Sequence, residues 1–285
     1  MGDGSRTAAV VAADGVQTAC HVLEGEGPPL VLAHATGFHG RVWAPMAALL
    51  SPELSCLAPD LRGHGDSAPP AEEDFDWRGF AADILAVVDG LGLRRPVGAG
   101  HSSGATALLL AEQARPGTFA ALYCFEPIVV PADPPLGRDR ESWLAQSTRR
   151  RRAAFPSRED ALRAYAAKPP LCDLDPDVLG AYVQHGFEDV AGEGVRLKCR
   201  PEHEALVYEM ATAHACFAGL PRVRCPVTLA RGGRSEAFTA GRAAEVAARL
   251  PVVHTEEHLA LGHLGPLEDP GAVADSVRRA FAAAP

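Results

Sequence analysis

No apolar run in this 285-residue sequence approaches the roughly 18 residues that a membrane-spanning helix needs. Its first residues, Met1 to Thr7, carry neither the basic nor the apolar region of a secretory signal. A cytoplasmic protein without membrane association is therefore expected. Excess positive charge is also missing: 27 Lys and Arg stand against 36 Asp and Glu, a formal net charge of −9. Such a field repels nucleic acid and anionic lipid alike, so neither is an expected partner. The seven cysteines (Cys20, Cys56, Cys124, Cys172, Cys199, Cys216, Cys225) are odd in number and scattered, with no Cys-x-x-Cys pair or His-rich spacing. They suit small hydrophobes in a reducing compartment, and no metal site is predicted. Solenoid or propeller repeats and low-complexity tracts are absent too.

What remains is a chain that is 47% apolar and 22% charged, the balance of a soluble globular protein, long enough for one α/β domain with an insertion. Short β-type runs alternate with helical stretches. Residues 8–13 and 17–23, joined at Asp14-Gly15, read as an antiparallel hairpin. The apolar run 30–34, a helix over 43–50, a strand over 54–58 and an amphipathic helix over 77–91 follow. Next come a strand over 96–99, a helix over 105–114 and a strand over 120–125. This rhythm predicts a mainly parallel sheet covered on both faces, with its ligand site at the carboxyl ends of the strands.

Between about Pro131 and Pro221 the strand signals stop. Four helical pieces are predicted instead, over 141–154, 157–167, 175–185 and 201–217. Ser157 with Asp160, and Asp175 followed by Pro176, are helix-start signals. The arginine run 149–152 reads as a solvated helix face, because the surrounding charge is mixed. Alternation resumes with a strand over 226–230, a helix over 239–250, a last strand over 252–255 and a closing helix over 272–283.

The chemistry-bearing stretch is Gly100-His101-Ser102-Ser103-Gly104, set between a strand and a helix. To push its Oγ out of a sheet, a serine must occupy a tight turn in which a Cβ two residues to either side would collide with backbone. Only Ser102 is flanked that way. Its hydroxyl needs a base, a neutral imidazole held by a carboxylate. His263, between Gly262 and Gly265 after the last predicted strand, is the candidate base.

With these pieces assembled, the chain resembles the α/β-hydrolase superfamily over nearly its whole length. The matching parts are residues 34–40 with Trp43, the loop 60–65, the elbow 100–104, and Gly262-His263 followed by Pro266 and Pro270. The resemblance implies an α/β-hydrolase fold: a mostly parallel eight-stranded sheet with a helical cap insertion. Residues 1–130 and 222–285 would form the core and 131–221 the cap. It also implies a Ser-acid-His triad, no cofactor and a small-molecule substrate.

Members of the family most often carry the acid as an Asp after strand seven, but here Gly232-Gly233-Arg234 leads to Ser235. A minority, including haloalkane dehalogenases and macrolactone-cleaving hydrolases, takes it from the end of strand six, where this chain has Glu126. Glu126 is the preferred acid and Glu236 the alternative. By family register the oxyanion donors are the backbone N–H groups of Thr36 and Ser103. His34 and Arg62 resemble residues that brace these loops.

A serine rather than an aspartate at the elbow disfavours dehalogenase and ordinary epoxide hydrolase chemistry, both of which need a carboxylate nucleophile. The leading expectation is a carboxylesterase or lactonase acting on a small, largely apolar molecule. C–C bond or thioester hydrolysis, perhydrolysis, and a non-catalytic ligand receptor are the alternatives. The aromatic residues Trp143, Phe155, Tyr165, Tyr182, Phe187 and Tyr208 read either as pocket walls or as packing of the cap helices.

Overall fold

A computed structural model describes residues 6–51 and 53–282. The predicted end of the closing helix, residue 283, lies outside them. Eight strands form one sheet: β1 (Arg6–Val11), β2 (Gln17–Val22), β3 (Pro29–Ala33), β4 (Ser55–Pro59), β5 (Val97–His101), β6 (Leu122–Phe125), β10 (Val227–Gly232) and β11 (Val253–His258), in the order β1-β2-β4-β3-β5-β6-β10-β11. β1 pairs antiparallel with β2, and β2 with β4; every other pairing is parallel. The central strands β3, β5 and β6 are buried nearly throughout, as apolar runs covered on both faces require.

Helices cover the sheet on both sides. α1 (Ala44–Leu50) packs with α11 (Pro270–Ala282), and their apolar residues share one core with Leu30, Leu32 and Phe125. α2 (Trp77–Gly90), α3 (Ser103–Ala114) and α9 (Ala240–Ala247) join a second core on the opposite face, around Val31, Leu122 and Leu229. The predicted period of α2 is realised in Phe80, Ile84, Val87 and Val88, all at most 4% exposed. α10 (Gly265–Glu268) is a short turn before α11.

The insertion between β6 and β10 is not wholly helical, which corrects the reading of that segment. It holds α4 (Trp143–Arg149), β7 (Ala154–Phe155), α5 (Arg158–Ala166), α6 (Pro176–Gly186), β8 (Phe187–Val190), β9 (Gly194–Leu197), α7 (Pro201–Glu209) and α8 (Cys216–Gly219). The three strands make a small antiparallel sheet in the order β7-β9-β8. They are two to four residues long, and the exposed faces of Glu188, Asp189 and Arg196 look like loop in sequence. The helix predicted over 201–217 is broken, because Thr212 donates to the Gly137 carbonyl (2.7 Å) and the His214 ring stacks on Trp77 (4.7 Å). Ser157 and Asp175 cap α5 and α6 as expected, accepting from Asp160 N and from Asp177 N and Val178 N.

The insertion sits on the main sheet's carboxyl end. His39 Nε2 donates to the Tyr182 carbonyl (3.1 Å), Trp77 Nε1 to the Val207 carbonyl (3.1 Å) and Asp175 N to the Leu267 carbonyl (2.9 Å). Six of the cysteines are buried and Cys172 is exposed; all seven are free thiols.

Candidate active site

Ser102 follows β5 directly and is the N-cap of α3, at φ +54° and ψ −118°, a conformation that non-glycine residues rarely adopt. The flanking glycines are there for space. A Cβ on Gly100 would stand 2.7 Å from Ala105 Cα, and one on Gly104 would stand 2.3 Å from the Ala33 carbonyl oxygen. Strand and helix are thus pressed together so closely that the serine between them is forced into the strained turn.

Glu126 occupies the equivalent position at the end of the neighbouring strand β6 and is strained in the same sense, at φ +46°. Its side chain is fully buried and its carboxylate accepts three hydrogen bonds. Gly232 N donates to Oε1 (2.8 Å), while Ser235 Oγ (2.6 Å) and His263 Nδ1 (2.7 Å) both approach Oε2. A carboxylate acceptor at Nδ1 fixes that nitrogen as the proton-bearing one and leaves Nε2 with its lone pair free. Glu236, the alternative acid, is exposed and has no hydrogen bond to His263 among the described residues. Ser235, where the family resemblance leads one to expect an Asp, donates to Glu126 instead, a contact not visible from the sequence.

His263 is tied to the elbow by the residue preceding Ser102. His101 Nε2 donates to the His263 carbonyl (2.7 Å), and the two rings are 5.1 Å apart. His101 is fully buried with Nδ1 left without a partner, and burial drives its basicity far down, so it acts as a neutral donor. Nothing in the spacing of the elbow sequence marks this contact. The His263 side chain remains 30% accessible, although Glu126 beside it is fully buried.

The two residues expected to carry the oxyanion donors are in contact. Thr36 Oγ1 donates to Ser103 Oγ (3.0 Å), which fixes the loop after β3 against the start of α3. The Ser103 N–H is an orphan by helix geometry. Neither it nor the Thr36 N–H donates to another backbone group among the described residues. His34 bridges this loop to the next, with Nδ1 donating to the Ala35 carbonyl (2.8 Å) and Nε2 accepting from Leu61 N (2.9 Å). Burial pushes it down to about 3, which keeps that neutral tautomer in place. Arg62 pairs with Asp83 (2.8 Å) and Asp14 (2.6 Å).

Within the insertion, the arginine run is not one solvated face. Arg149 pairs with Glu202 and Glu209 near the surface, but Arg151 turns inward to Glu204 and the phenols of Tyr165 and Tyr182. Trp143 is 72% exposed, whereas Phe155, Tyr182 and Phe187 are buried and pack with Tyr165. One loose grouping, His21, Asp60 and Asp66, brings three potential metal ligands within 4.8 Å of one another. Its central carboxylate is already occupied by His21 (3.0 Å), Gly40 N (2.6 Å) and Asp66 N (2.7 Å), the arrangement of a structural brace. No helix among the described residues is long and apolar enough to cross a membrane.

Comparison with known proteins agrees with this architecture. Lipase LipV of Mycobacterium tuberculosis is 34% identical over 158 residues, which cover 54% of this chain and 56% of that protein, so the match spans only about half of the relative. Among solved structures, an E-2-(acetamidomethylene)succinate hydrolase superposes with a TM-score of 0.81 at 19% identity, over 98% of this chain and 100% of that one. The enol-lactonase of Burkholderia xenovorans LB400 does so at 0.71 and 20%, over 97% of this chain and 100% of that one. At such identities the structural likeness speaks for the fold. The sequence profile of the alpha/beta hydrolase family matches residues 30–276, nearly the entire described chain, and with the eight-stranded sheet and the strained serine turn this establishes that the protein belongs to the alpha/beta hydrolase family.

Proposed function

We propose that the protein is a serine hydrolase that cleaves a carboxylic ester or lactone through an acyl-enzyme, with Ser102, His263 and Glu126 as its triad. The observation that carries this reading is the Glu126 carboxylate, buried and 2.7 Å from His263 Nδ1, on a histidine whose backbone is tied to the elbow. His263 Nε2 takes the proton as Ser102 Oγ attacks the carbonyl carbon, and Glu126 stabilises the imidazolium. The tetrahedral oxyanion is held by the N–H groups of Thr36 and Ser103, each donor worth about 2.7–4 kcal/mol. His263 then protonates the leaving alcohol, and in the second half it activates water against the acyl-enzyme. With a lactone, alcohol and acyl group stay joined and one hydroxy acid leaves.

The lipase relative supports ester chemistry, and the name of the enol-lactonase neighbour favours including lactones. We read residues 131–221 as a cap over the nucleophile, the remainder as the hydrolase core, and the reaction as independent of cofactor and metal. A serine-directed phosphonate tests the assignment. Labelling of Ser102 by mass spectrometry, with p-nitrophenyl ester turnover abolished in Ser102→Ala, is the expected result. Turnover that survives the substitution would reject it, and so would a chelator that stopped the reaction.

A further inference from the structure

The inward-turned arginine of the cap has a geometry that bears on the substrate. Arg151 Nη1 donates to Glu204 Oε2 (2.7 Å), and Nη2 donates to the phenols of Tyr182 and, at 3.4 Å, Tyr165. The guanidinium lies 5.6 Å and 6.0 Å from the centres of the Tyr165 and Tyr182 rings. Two polar atoms are left over. Arg151 Nε has no acceptor and Glu204 Oε1 no donor among the described residues, yet neither is sealed from solvent-sized space. One fifth of the Arg151 side chain is accessible although Glu204 and Tyr182 beside it are buried.

The pair stands beside the loop that follows β3. Glu204 Oε1 lies so close to Gly37 that a Cβ there would be 2.5 Å from it, and Gly37 follows Thr36, whose hydroxyl rests on Ser103. The Tyr182 ring packs against Phe38 and His39 of the same loop, at 5.2 Å and 5.8 Å. Apolar side chains would close this part of the cap without the desolvation that an ion pair suffers. The pair is neutral as a unit, so any third charge brought between its members would be buried without compensation. A free N–H beside a free carboxylate oxygen calls for a group that both accepts and donates.

We propose that Arg151 and Glu204 select the substrate: an uncharged ester or lactone bearing a hydroxyl or amide group that accepts from Arg151 Nε and donates to Glu204 Oε1. This rests on the serine hydrolase reading above and narrows it.

The test uses p-nitrophenyl esters of one chain length ending in methyl, hydroxyl, carboxamide, carboxylate or ammonium. Wild type is expected to turn over the hydroxyl and carboxamide esters with kcat/KM about 10- to 100-fold above the others. Glu204→Gln leaves the site cationic and should shift preference at least tenfold toward the carboxylate tail. Arg151→Gln should shift it equally toward ammonium, and the double variant should lose charge preference altogether. The same tails on phosphonates report pocket preference through the rate of Ser102 labelling, whatever bond the enzyme cleaves. Labelling that ranks the tails as described without ester turnover would overturn only the ester assignment. A wild type preferring methyl or charged tails, or variants whose charge ranking is unchanged, would overturn the selection by the pair. Where a variant fails to fold, the wild-type ranking decides alone.

Discussion

Replacing Glu126 with glutamine removes a charge while keeping the shape, and the consequence can be worked from three distances. Gly232 N, Ser235 Oγ and His263 Nδ1 all donate to the carboxylate, at 2.8, 2.6 and 2.7 Å. A glutamine amide offers one oxygen and one NH2 group, so in either orientation at least one buried donor meets another donor. Each such mispairing costs about 1–3 kcal/mol. With NH2 toward the imidazole, His263 must move its proton to Nε2 and can no longer act as base; with oxygen there, Gly232 N is stranded. The wrong tautomer in a serine triad lowers kcat by about 10⁴, equivalent to ~5.5 kcal/mol of transition-state stabilisation. KM should change little, since Glu126 does not face the substrate. The assay is steady-state hydrolysis of a p-nitrophenyl ester, with circular dichroism melting to confirm folding. Glu236→Gln, altering an exposed side chain, serves as control and should stay within about twofold of wild type. A Glu126→Gln enzyme keeping more than about a tenth of its kcat would refute the assignment.

Three further predictions follow from neighbouring contacts. Ser235→Ala deprives Glu126 Oε2 of its 2.6 Å donor; kcat should fall about 5- to 50-fold with KM held, and unaltered kcat in a folded variant would show that the bond does not serve turnover. His101→Leu removes the tie to the His263 carbonyl and should lower kcat about 10- to 100-fold. His101→Gln, which can place an N–H at the same point, should recover most of that loss, and failure of glutamine to do better than leucine would count against a positioning role. Burial also pushes His34 down to about 3 and His39 and His214 to about 4, below the ordinary value of 6.5 that they regain on unfolding. The unfolded chain therefore binds more protons below pH 6.5. Stability is fully present above that pH and declines as pH falls toward 4, by up to ~1.4 kcal/mol per pH unit for each histidine. Urea midpoints at pH 7.5, 6 and 5 should fall in that order and fall less steeply in His39→Gln; a flat series would contradict the burial of neutral imidazoles.

The elbow was legible because its requirement is local: the glycines at 100 and 104 answer to atoms only a few residues away or on the adjacent strand. The alternation of strands and helices was legible for a similar reason, since apolar runs such as β3 and β5 show burial on both faces directly. Glu126 ranks above Glu236 only through the family resemblance, which offers the end of strand six as a place for the acid. Ser235 reaches Glu126 and His101 reaches His263 only because the ends of neighbouring strands converge, and no spacing along the chain records that. The insertion between β6 and β10 was harder still. Four consecutive arginines look alike in sequence, and the one that turns inward is set by Glu204 and two tyrosines on other elements. The short strands β7, β8 and β9 are too brief and too charged to show a period of two.

The backbone at residue 102 stands at φ +54°, where glycine would rest at ease and serine does not. The side chain best suited to the bend is thus the one with no hydroxyl to offer. On the proposed mechanism, mutational drift toward a sturdier molecule runs, at this single position, against reactivity.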